Sequence, residues 1–464
     1  MNVISERNNR TILNNICVLL FLFVVFLTPL FALPISGQDI FCLLSFGANG
    51  LIFIGGIFFA KKRHAFSLAL IYWIFMFFFM YYAPLIQYLL SDFPWHGLLT
   101  DDDVLVANGV VFLFNVVFLA SGAVAGRVKV EGYNQTKFSG FLSSGFAFQK
   151  RGKIVMTLIV TFLTAYSLSR TGLIGIVVAR TQAVQAFYSG DNSAIELIVE
   201  AIVPSLIAYT VTEATQGMAS KKEKWIRFAF LLLCLLICFF PTTIPRYKTA
   251  AIYGTIFLVA FPQLKKGSKF FWIFILAMFF LFPLLNSVRR AISLESMQAV
   301  FQDGLLSPYL EADYDAYRML ASAIKYVGNN GIVWGSHLLG AILFFVPRTI
   351  WPSKPIGSGA MLMQSEFGIN AFSNVSCPFI AEGYINFGIV GVIVFALLLG
   401  VFINKIDTQY WINTADEYGV VFSPYLYLVF MLFFVLRGDL LSSFAYTCGF
   451  MLTGYVLKKI AKYL

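Results

Sequence analysis

The stretch at residues 378–403 reads PFIAEGYINFGIVGVIVFALLLGVFI, an almost unbroken apolar run. Glu382 is its only charged residue. A helix needs about 20 consecutive apolar residues to cross the hydrocarbon core of a bilayer, and this run is longer than that. It therefore predicts a membrane-spanning helix that begins beside a carboxylate.

The same character extends over the whole chain of 464 residues. Apolar residues make up 59% of the sequence and charged residues 12%, about half of the charged fraction (roughly 25%) that is typical of soluble domains. We predict an all-α polytopic membrane protein with a single membrane domain over residues 1–464 and about twelve spans. The predicted spans are 12–34, 39–60, 65–90, 104–126, 153–171, 195–216, 225–241, 248–263, 270–288, 378–403, 421–436 and 440–457.

The distribution of Lys and Arg predicts the orientation of these spans. Short cytoplasmic loops of membrane proteins collect cations. With a cytoplasmic N-terminus, most of the 33 Lys and Arg residues fall in inner loops, and the C-terminus is also cytoplasmic. The net charge of +10 is then mainly a topology signal and does not indicate binding to nucleic acid.

A minority of cations falls on the predicted outer side, where this bias does not explain them. Each has a structural explanation, such as snorkelling to lipid phosphates, a salt bridge or the dipole of a helix end. Together they suggest a site for an anion. The candidate substrate-binding residues are Arg180, Arg246, Lys248, Arg289, Arg348, Lys354 and Arg437.

The longest outer loop is predicted at residues 289–377, between spans 9 and 10. Ser307 followed by Pro308 predicts the start of an amphipathic helix, with Asp315 and Arg318 on its polar stripe. The apolar segment 332–346 would extend roughly 22 Å as a helix, too short for the hydrocarbon core of about 30 Å. We expect it to be re-entrant or interfacial.

This segment leads into residues 344–359, which read FFVPRTIWPSKPIGSG. Proline fixes the backbone and cannot continue a helix, so the stretch predicts a stiff edge that holds Arg348 and Lys354 near a membrane face. Clustered outer cations beside a membrane suit a lipid-linked pyrophosphate. The planar guanidinium binds its oxygens in pairs and stabilises it as a leaving group.

Glycosyl transfer to a sugar hydroxyl also calls for a carboxylate base. Glu382 is the first candidate, either as the base or as a group that orients the acceptor, and Asp439 is the second. Further candidates are Glu366 and Asp313. Asp313-Tyr314-Asp315 has the Asp-x-Asp spacing of a metal motif, but we interpret it as structural. The three histidines lie in separate segments, and we predict no metal site and no cofactor.

Several of these segments resemble the Wzy-type repeat-unit polymerases of O-antigen and capsular polysaccharides. The matching pieces, between residues 179 and 444, are ARTQAVQAFYSG, PRYKTA, FFVPRTIWPSKPIGSG, SNVSCPFIAEGYINFGIVG and LRGDLLSSF. The resemblance implies a bacterial inner-membrane protein of the glycosyltransferase C-like class with a periplasmic active site. It also implies head-group binding by Arg180, Arg246, Arg289, Arg348 and Arg437.

The implied reaction moves a growing glycan from undecaprenyl pyrophosphate onto the next lipid-linked repeat unit. A chain-length regulator and a flippase of the same pathway are the implied protein partners. Three alternatives are considered: an O-antigen ligase, which uses the same donor, a twelve-span transporter or flippase, and a non-catalytic scaffold of an envelope assembly complex. Against a transporter, the sequence shows no two-fold internal repeat.

Overall fold

The computed structural model describes residues 2–35, 37–96, 98–127, 137–171, 193–216, 222–241, 243–265, 267–282, 306–368, 375–414 and 422–463. Within these ranges the chain is helical and contains no β-strand. The first ten helices are α1 (Asn2–Ala32), α2 (Ile40–Arg63), α3 (Leu68–Leu89), α4 (Asp101–Arg127), α5 (Lys137–Ser143), α6 (Lys150–Thr171), α7 (Ser193–Thr215), α8 (Lys222–Cys238), α9 (the consecutive stretches Arg246–Thr249, Ala250–Gly254 and Thr255–Ala260) and α10 (Lys269–Leu281). The last six are α11 (Ala316–Asn330), α12 (Ser336–Ile342), α13 (Ser358–Phe367), α14 (Phe379–Asn413), α15 (Pro424–Arg437) and α16 (Leu440–Ile460).

A helix lies over each of the twelve predicted spans. In the part of the chain that the structure describes, seven helices are long and apolar enough to cross a membrane: α1, α2, α3, α4, α6, α14 and α16. The prediction of an all-helical polytopic membrane protein is confirmed. The number of twelve spans and the side on which each loop lies stay predictions.

Helix α3 forms the centre of the helical bundle. Of the residues in its apolar stretch, 94% are buried inside the protein, so the rest of the chain encloses this helix. Phe75 packs edge-on against Phe433 of α15 at 5.3 Å between ring centroids, and Tyr72 stacks on Phe118 of α4 at 3.8 Å. Such aromatic pairs add stabilisation beyond the area they bury. The aromatic richness of the first helices therefore serves packing around α3.

Helix α14 is the longest element, and it is broken near its beginning. The break is at Phe387 and Gly388, where Gly388 has φ +60°, a left-handed conformation that glycine adopts without the strain a side chain would add. The break frees backbone groups. The N–H of Val333 donates to the Ile385 carbonyl at 3.1 Å, and the Asn386 side chain accepts from the Leu338 N–H at 3.1 Å. Val333, in the segment before α12, and Leu338, in α12 itself, thus bond α14 at its break.

The long loop differs locally from the sequence expectation. Ser307–Leu310 and Ala312–Tyr314 are single 3₁₀ turns, and the regular helix α11 begins at Ala316. Asp315 and Arg318, expected on an exposed polar stripe, are buried with 0% and 1% exposure. The periodicity of a stripe shows which residues share a face, but not whether that face meets solvent or buried partners of opposite charge.

Side-chain contacts define two ends of the bundle. At one end, Gln87 at the end of α3 donates to the carbonyls of Tyr309 and Tyr314. At the opposite end, Asp407 near the end of α14 accepts from the N–H groups of Leu68 and Ala69, which begin α3. The candidate site residues described below belong to the first end.

Close contact at the break of α14 requires glycine. A Cβ at position 391 would lie 1.9 Å from the carbonyl oxygen of Gly383, whereas Gly55 in α2 has open space around it. We expect Gly391→Ala to destabilise the protein by about 1–3 kcal/mol, the cost of overpacking. Gly55→Ala is the matched control and should leave stability unchanged or raise it slightly, because alanine favours a helix by up to about 1 kcal/mol. Thermal unfolding of the detergent-solubilised variants measures both; equal unfolding temperatures would contradict the steric argument.

Candidate active site

A buried carboxylate, Asp315, joins three segments at the site end of the bundle. Its oxygens accept from the indole N–H of Trp95 at 3.0 Å, from the backbone N–H of Ser376 at 3.3 Å and from the Ser376 hydroxyl. The guanidinium of Arg437, in the last turn of α15, donates to the same carboxylate at 3.1 Å and to the Ala312 carbonyl at 2.9 Å. A fully buried charge is tolerated only with such pairing.

Arg246 approaches the same turn from another part of the chain. Its guanidinium pairs with the carboxylate of Asp313 at 2.6 Å and stacks over the Phe282 ring, with its centre 4.5 Å from the ring centroid. Arg437 donates to the backbone carbonyl of Asp313 at 3.1 Å. Two of the seven predicted cations, distant in sequence, therefore meet at residues 312–315. Asp313 and Asp315 of the Asp-x-Asp sequence each take part in one of these ion pairs.

Glu382 lies in the first turn of α14 and is 1% exposed. Its carboxylate accepts from the Ser358 hydroxyl at 2.8 Å and from the Leu440 backbone N–H at 2.9 Å. It therefore connects the starts of three helices, α13, α14 and α16. The Glu382 side chain is thus enclosed by protein, and these hydrogen bonds hold it in place.

Asp439 precedes α16 and caps two helices. One carboxylate oxygen accepts from the Leu441 N–H at 2.9 Å, and the other accepts from the Gly359 N–H at 3.0 Å. Burial raises the pKa of Asp439, although these backbone N–H groups favour the ionised form. A Cβ on Gly357 would lie 2.5 Å from this carboxylate, so the loop ahead of α13 approaches it closely. The carboxyl groups of Glu382 and Asp439 form one buried pair.

The sequence interpretation missed His337, which joins this pair. The imidazole Nδ1 lies 3.2 Å from the Ser358 hydroxyl oxygen, which itself contacts Glu382. His337 is half-buried, and burial lowers the pKa of its imidazole. A search for metal-ligand clusters does not find such a residue, because a lone histidine in a short helix carries no spacing signal. The tertiary contact identifies it.

The two cations of the stretch at 344–359 bind their own backbone. Arg348 donates to the carbonyls of Lys354 and Pro355, and the Lys354 ammonium donates to the carbonyls of Phe344 at 2.7 Å and Val346 at 3.0 Å. Burial and the nearby guanidinium lower the pKa of Lys354. These contacts fasten the proline-rich turn, a role that the sequence interpretation did not assign. Their part in substrate binding stays a prediction.

The remaining predicted residues divide into three groups. Lys248 is buried, with its ammonium 4.5 Å from the Tyr446 ring centroid. Glu366, a further carboxylate candidate, pairs with buried Arg318 at 2.6 Å; burial alone would raise the pKa of Glu366, but this guanidinium lowers it. Arg180 and Arg289 lie outside the described residues. Within the described ranges, no three His, Cys, Asp or Glu side chains are grouped in a way that could hold a metal ion.

The comparisons with known proteins concern the C-terminal part of this site. Residues 375–462 match the family model described as O-antigen polysaccharide polymerase Wzy. The resemblance to Wzy-type polymerases is confirmed. The Wzy-matching region contains Glu382, Arg437 and Asp439, the residues that surround the meeting point of α14, α15 and α16. No curated protein and no solved structure matches the chain.

The network around Asp315 predicts a strong stability effect. Asp315→Asn keeps the size of the side chain but leaves the Arg437 guanidinium without its anionic partner in a buried site. Breaking a buried pair in this way costs about 3–5 kcal/mol. Thermal unfolding in detergent should show a large fall, whereas Asp102→Asn, at an exposed position in α4, should leave the unfolding temperature near that of the wild type. Equal behaviour of the two variants would argue against Asp315 as the organiser of the site.

Proposed function

We propose that the protein polymerises oligosaccharide repeat units carried on undecaprenyl pyrophosphate. The growing glycan would move from its lipid pyrophosphate to the terminal sugar of the next lipid-linked unit, at the periplasmic face of the bacterial inner membrane. The observation that carries this proposal is the convergence of Arg246 and Arg437 on residues 312–315, next to the buried carboxyl pair of Glu382 and Asp439. The match of residues 375–462 to the Wzy family supports it.

The two arginines would act on the leaving group. When the glycosidic bond to the donor breaks, its electron pair and negative charge pass to the pyrophosphate. Guanidinium groups bind such oxygens in pairs and stabilise developing charge, the role that a divalent metal plays in many other enzymes. The carboxylate of Asp313 is 22% exposed and pairs with the Arg246 guanidinium in this structure. It would exchange with a donor phosphate, while fully buried Asp315 continues to hold Arg437.

The segment that leads into the turn of Arg348 and Lys354 exposes several large apolar side chains, called the apolar face here, which suit the lipid tail of the donor and the surrounding bilayer. This face comprises side chains of residues 334–350: Trp334, Leu339, Ile342, Phe345 and Ile350. The backbone here is irregular, and unpaired backbone groups are costly in hydrocarbon. Lys354 and Val333 supply hydrogen bonds at both ends of the segment. These bonds support a position of the segment within the outer membrane interface.

The decisive experiment for the function uses purified protein in lipid nanodiscs with undecaprenyl-pyrophosphate repeat units as the only substrate. Growth of chains without lipid A core is expected from a polymerase. An O-antigen ligase would need the core as acceptor, and a transporter would form no new glycosidic bond. Absence of chain growth by protein shown to be folded would overturn the proposal.

Arg246→Ala should abolish chain growth in this assay, because the pyrophosphate would lose a guanidinium partner. Arg246→Lys should retain part of the activity, since it keeps the charge but not the planar fork. Arg63→Ala is the matched control: this arginine bonds Asn404 and Thr408 at the opposite end of the bundle, and its loss should leave the rate unchanged. A full-length polymer ladder from Arg246→Ala would remove Arg246 from the site.

The membrane position of the apolar face can be tested by fluorescence quenching. Trp334 is 80% exposed, whereas Trp73 in the central helix is 4% exposed. The measurement is the intensity of tryptophan emission that brominated lipids remove. We expect this lost intensity to be smaller in Trp334→Phe than in the wild type. Trp73→Phe, which removes an enclosed indole, should not change it. The same quenchable emission in Trp334→Phe and the wild type would place the face in water.

A further inference from the structure

A continuous chain of polar contacts runs from α12 to the carboxyl pair. The imidazole Nδ1 of His337 lies 3.2 Å from the Ser358 hydroxyl oxygen, and this hydroxyl donates to Glu382 Oε2 at 2.8 Å. The other oxygen of Glu382, Oε1, accepts from the Leu440 N–H at 2.9 Å. The three side chains come from three different helices, so their alignment is a product of the tertiary fold.

An ionised Glu382 sets the hydrogen count of this chain and with it the tautomer of His337. A serine hydroxyl has a single hydrogen, and Ser358 gives it to the Glu382 carboxylate. With Glu382 ionised and accepting that hydrogen, the Ser358 oxygen accepts from His337, and the Nδ1 atom carries the proton of the neutral imidazole. The lone pair of the ring therefore lies on Nε2, the atom directed away from Ser358. A neutral histidine held in this tautomer is equipped to accept a proton at Nε2.

The burial of the three groups decides which of them another molecule can reach. Glu382 is 1% exposed and Ser358 3%, whereas His337 is half-buried. The helix that carries His337 is held at its start: the Leu338 N–H donates to the Asn386 side chain of α14. His337 is thus the partly exposed member of the three, on a backbone anchored to α14, while the Glu382 side chain is buried.

The titratable groups at the inner end of this chain surround Glu382. Glu382 belongs to α14, Asp439 precedes α16, and the Cys377 thiol lies within reach of both carboxyl groups. Burial lowers the pKa of His337 from its ordinary value of 6.5, so the ring is neutral at pH 7. In a Ser-His-Asp triad the carboxylate bonds the imidazole directly and orients it; here the Ser358 hydroxyl stands between Glu382 and His337 and orients the ring.

We propose that His337 is the general base of the polymerase reaction, with Ser358 and Glu382 as the residues that position it. The inference rests on the proposed function and revises the role of Glu382 within it. The hydroxyl oxygen of the acceptor sugar forms the new bond to the anomeric carbon of the growing glycan, and the bond to the pyrophosphate breaks with its electron pair. The acceptor proton passes to Nε2 of His337, and the polyprenyl pyrophosphate leaves as the anion.

The test measures chain growth from undecaprenyl-pyrophosphate repeat units in nanodiscs as a function of pH. We expect His337→Asn to lower kcat by about 10²-fold or more, the usual contribution of a general base, with an unchanged KM for the donor. Ser358→Ala should lower kcat less, and Ser358→Thr, which keeps the hydroxyl, should restore it. The control is His64→Asn, a histidine stacked on Trp411 at the opposite end, which should keep wild-type kinetics.

The pH profile separates a base from a structural residue. The wild type should lose kcat below pH 6.5 as His337 becomes protonated, and the residual activity of His337→Asn should lack this acidic limb. Wild-type kcat in His337→Asn, or an intact acidic limb in its residual activity, would overturn the inference. If that variant does not fold, Ser358→Ala decides: an unchanged kcat there overturns it too. Failure of the wild type to extend chains would instead refute the proposed function.

Discussion

The buried pair of Asp315 and Arg437 is the interaction on which the site end of the bundle depends. Asp315 belongs to the long loop and Arg437 to the end of helix α15, so the ion pair attaches the loop to the helical bundle. The carboxylate also holds Trp95 from the loop before α4 and Ser376 from the segment before α14. A charge enclosed by protein must satisfy its hydrogen bonds there, because no water can do so. The four segments that contribute to these hydrogen bonds are therefore held in fixed positions relative to one another.

The same principle continues around the candidate active site. Glu382 and Asp439 each accept backbone N–H groups at the starts of helices, where such groups have no partner within the helix. A negative charge is also favoured there by the helix dipole. The two carboxylates thus stabilise the fold by bonding these helix starts. The same hydrogen bonds place Ser358 between Glu382 and His337. A reaction at this site would use side chains that these structural hydrogen bonds already hold in position.

The sequence predicted several parts of this arrangement and failed on others for identifiable reasons. The apolar runs predicted helices over every expected span, because length and hydropathy are local properties. Arg246 and Arg437 drew attention because they fall on the predicted outer side, but their pairing with residues 313 and 315 could not be derived from spacing. Arg348 and Lys354 were interpreted only as ligands for an anion, whereas each donates to carbonyls of its own turn. His337 was passed over because its partners lie 21 and 45 positions away in the sequence.

What the sequence by itself determined is the class of the protein: an all-helical membrane protein whose C-terminal segments resemble Wzy polymerases. Composition and sequence motifs are properties of the linear sequence, so they can be recognised without knowledge of the fold. What only the tertiary structure decided is the partner of each charged group. Whether Glu382 meets solvent or Ser358, and whether Asp313 meets water or Arg246, depends on distances between segments far apart in sequence. Electrostatic and hydrogen-bond energies vary steeply with those distances, so the roles of these residues emerge only when the helices pack.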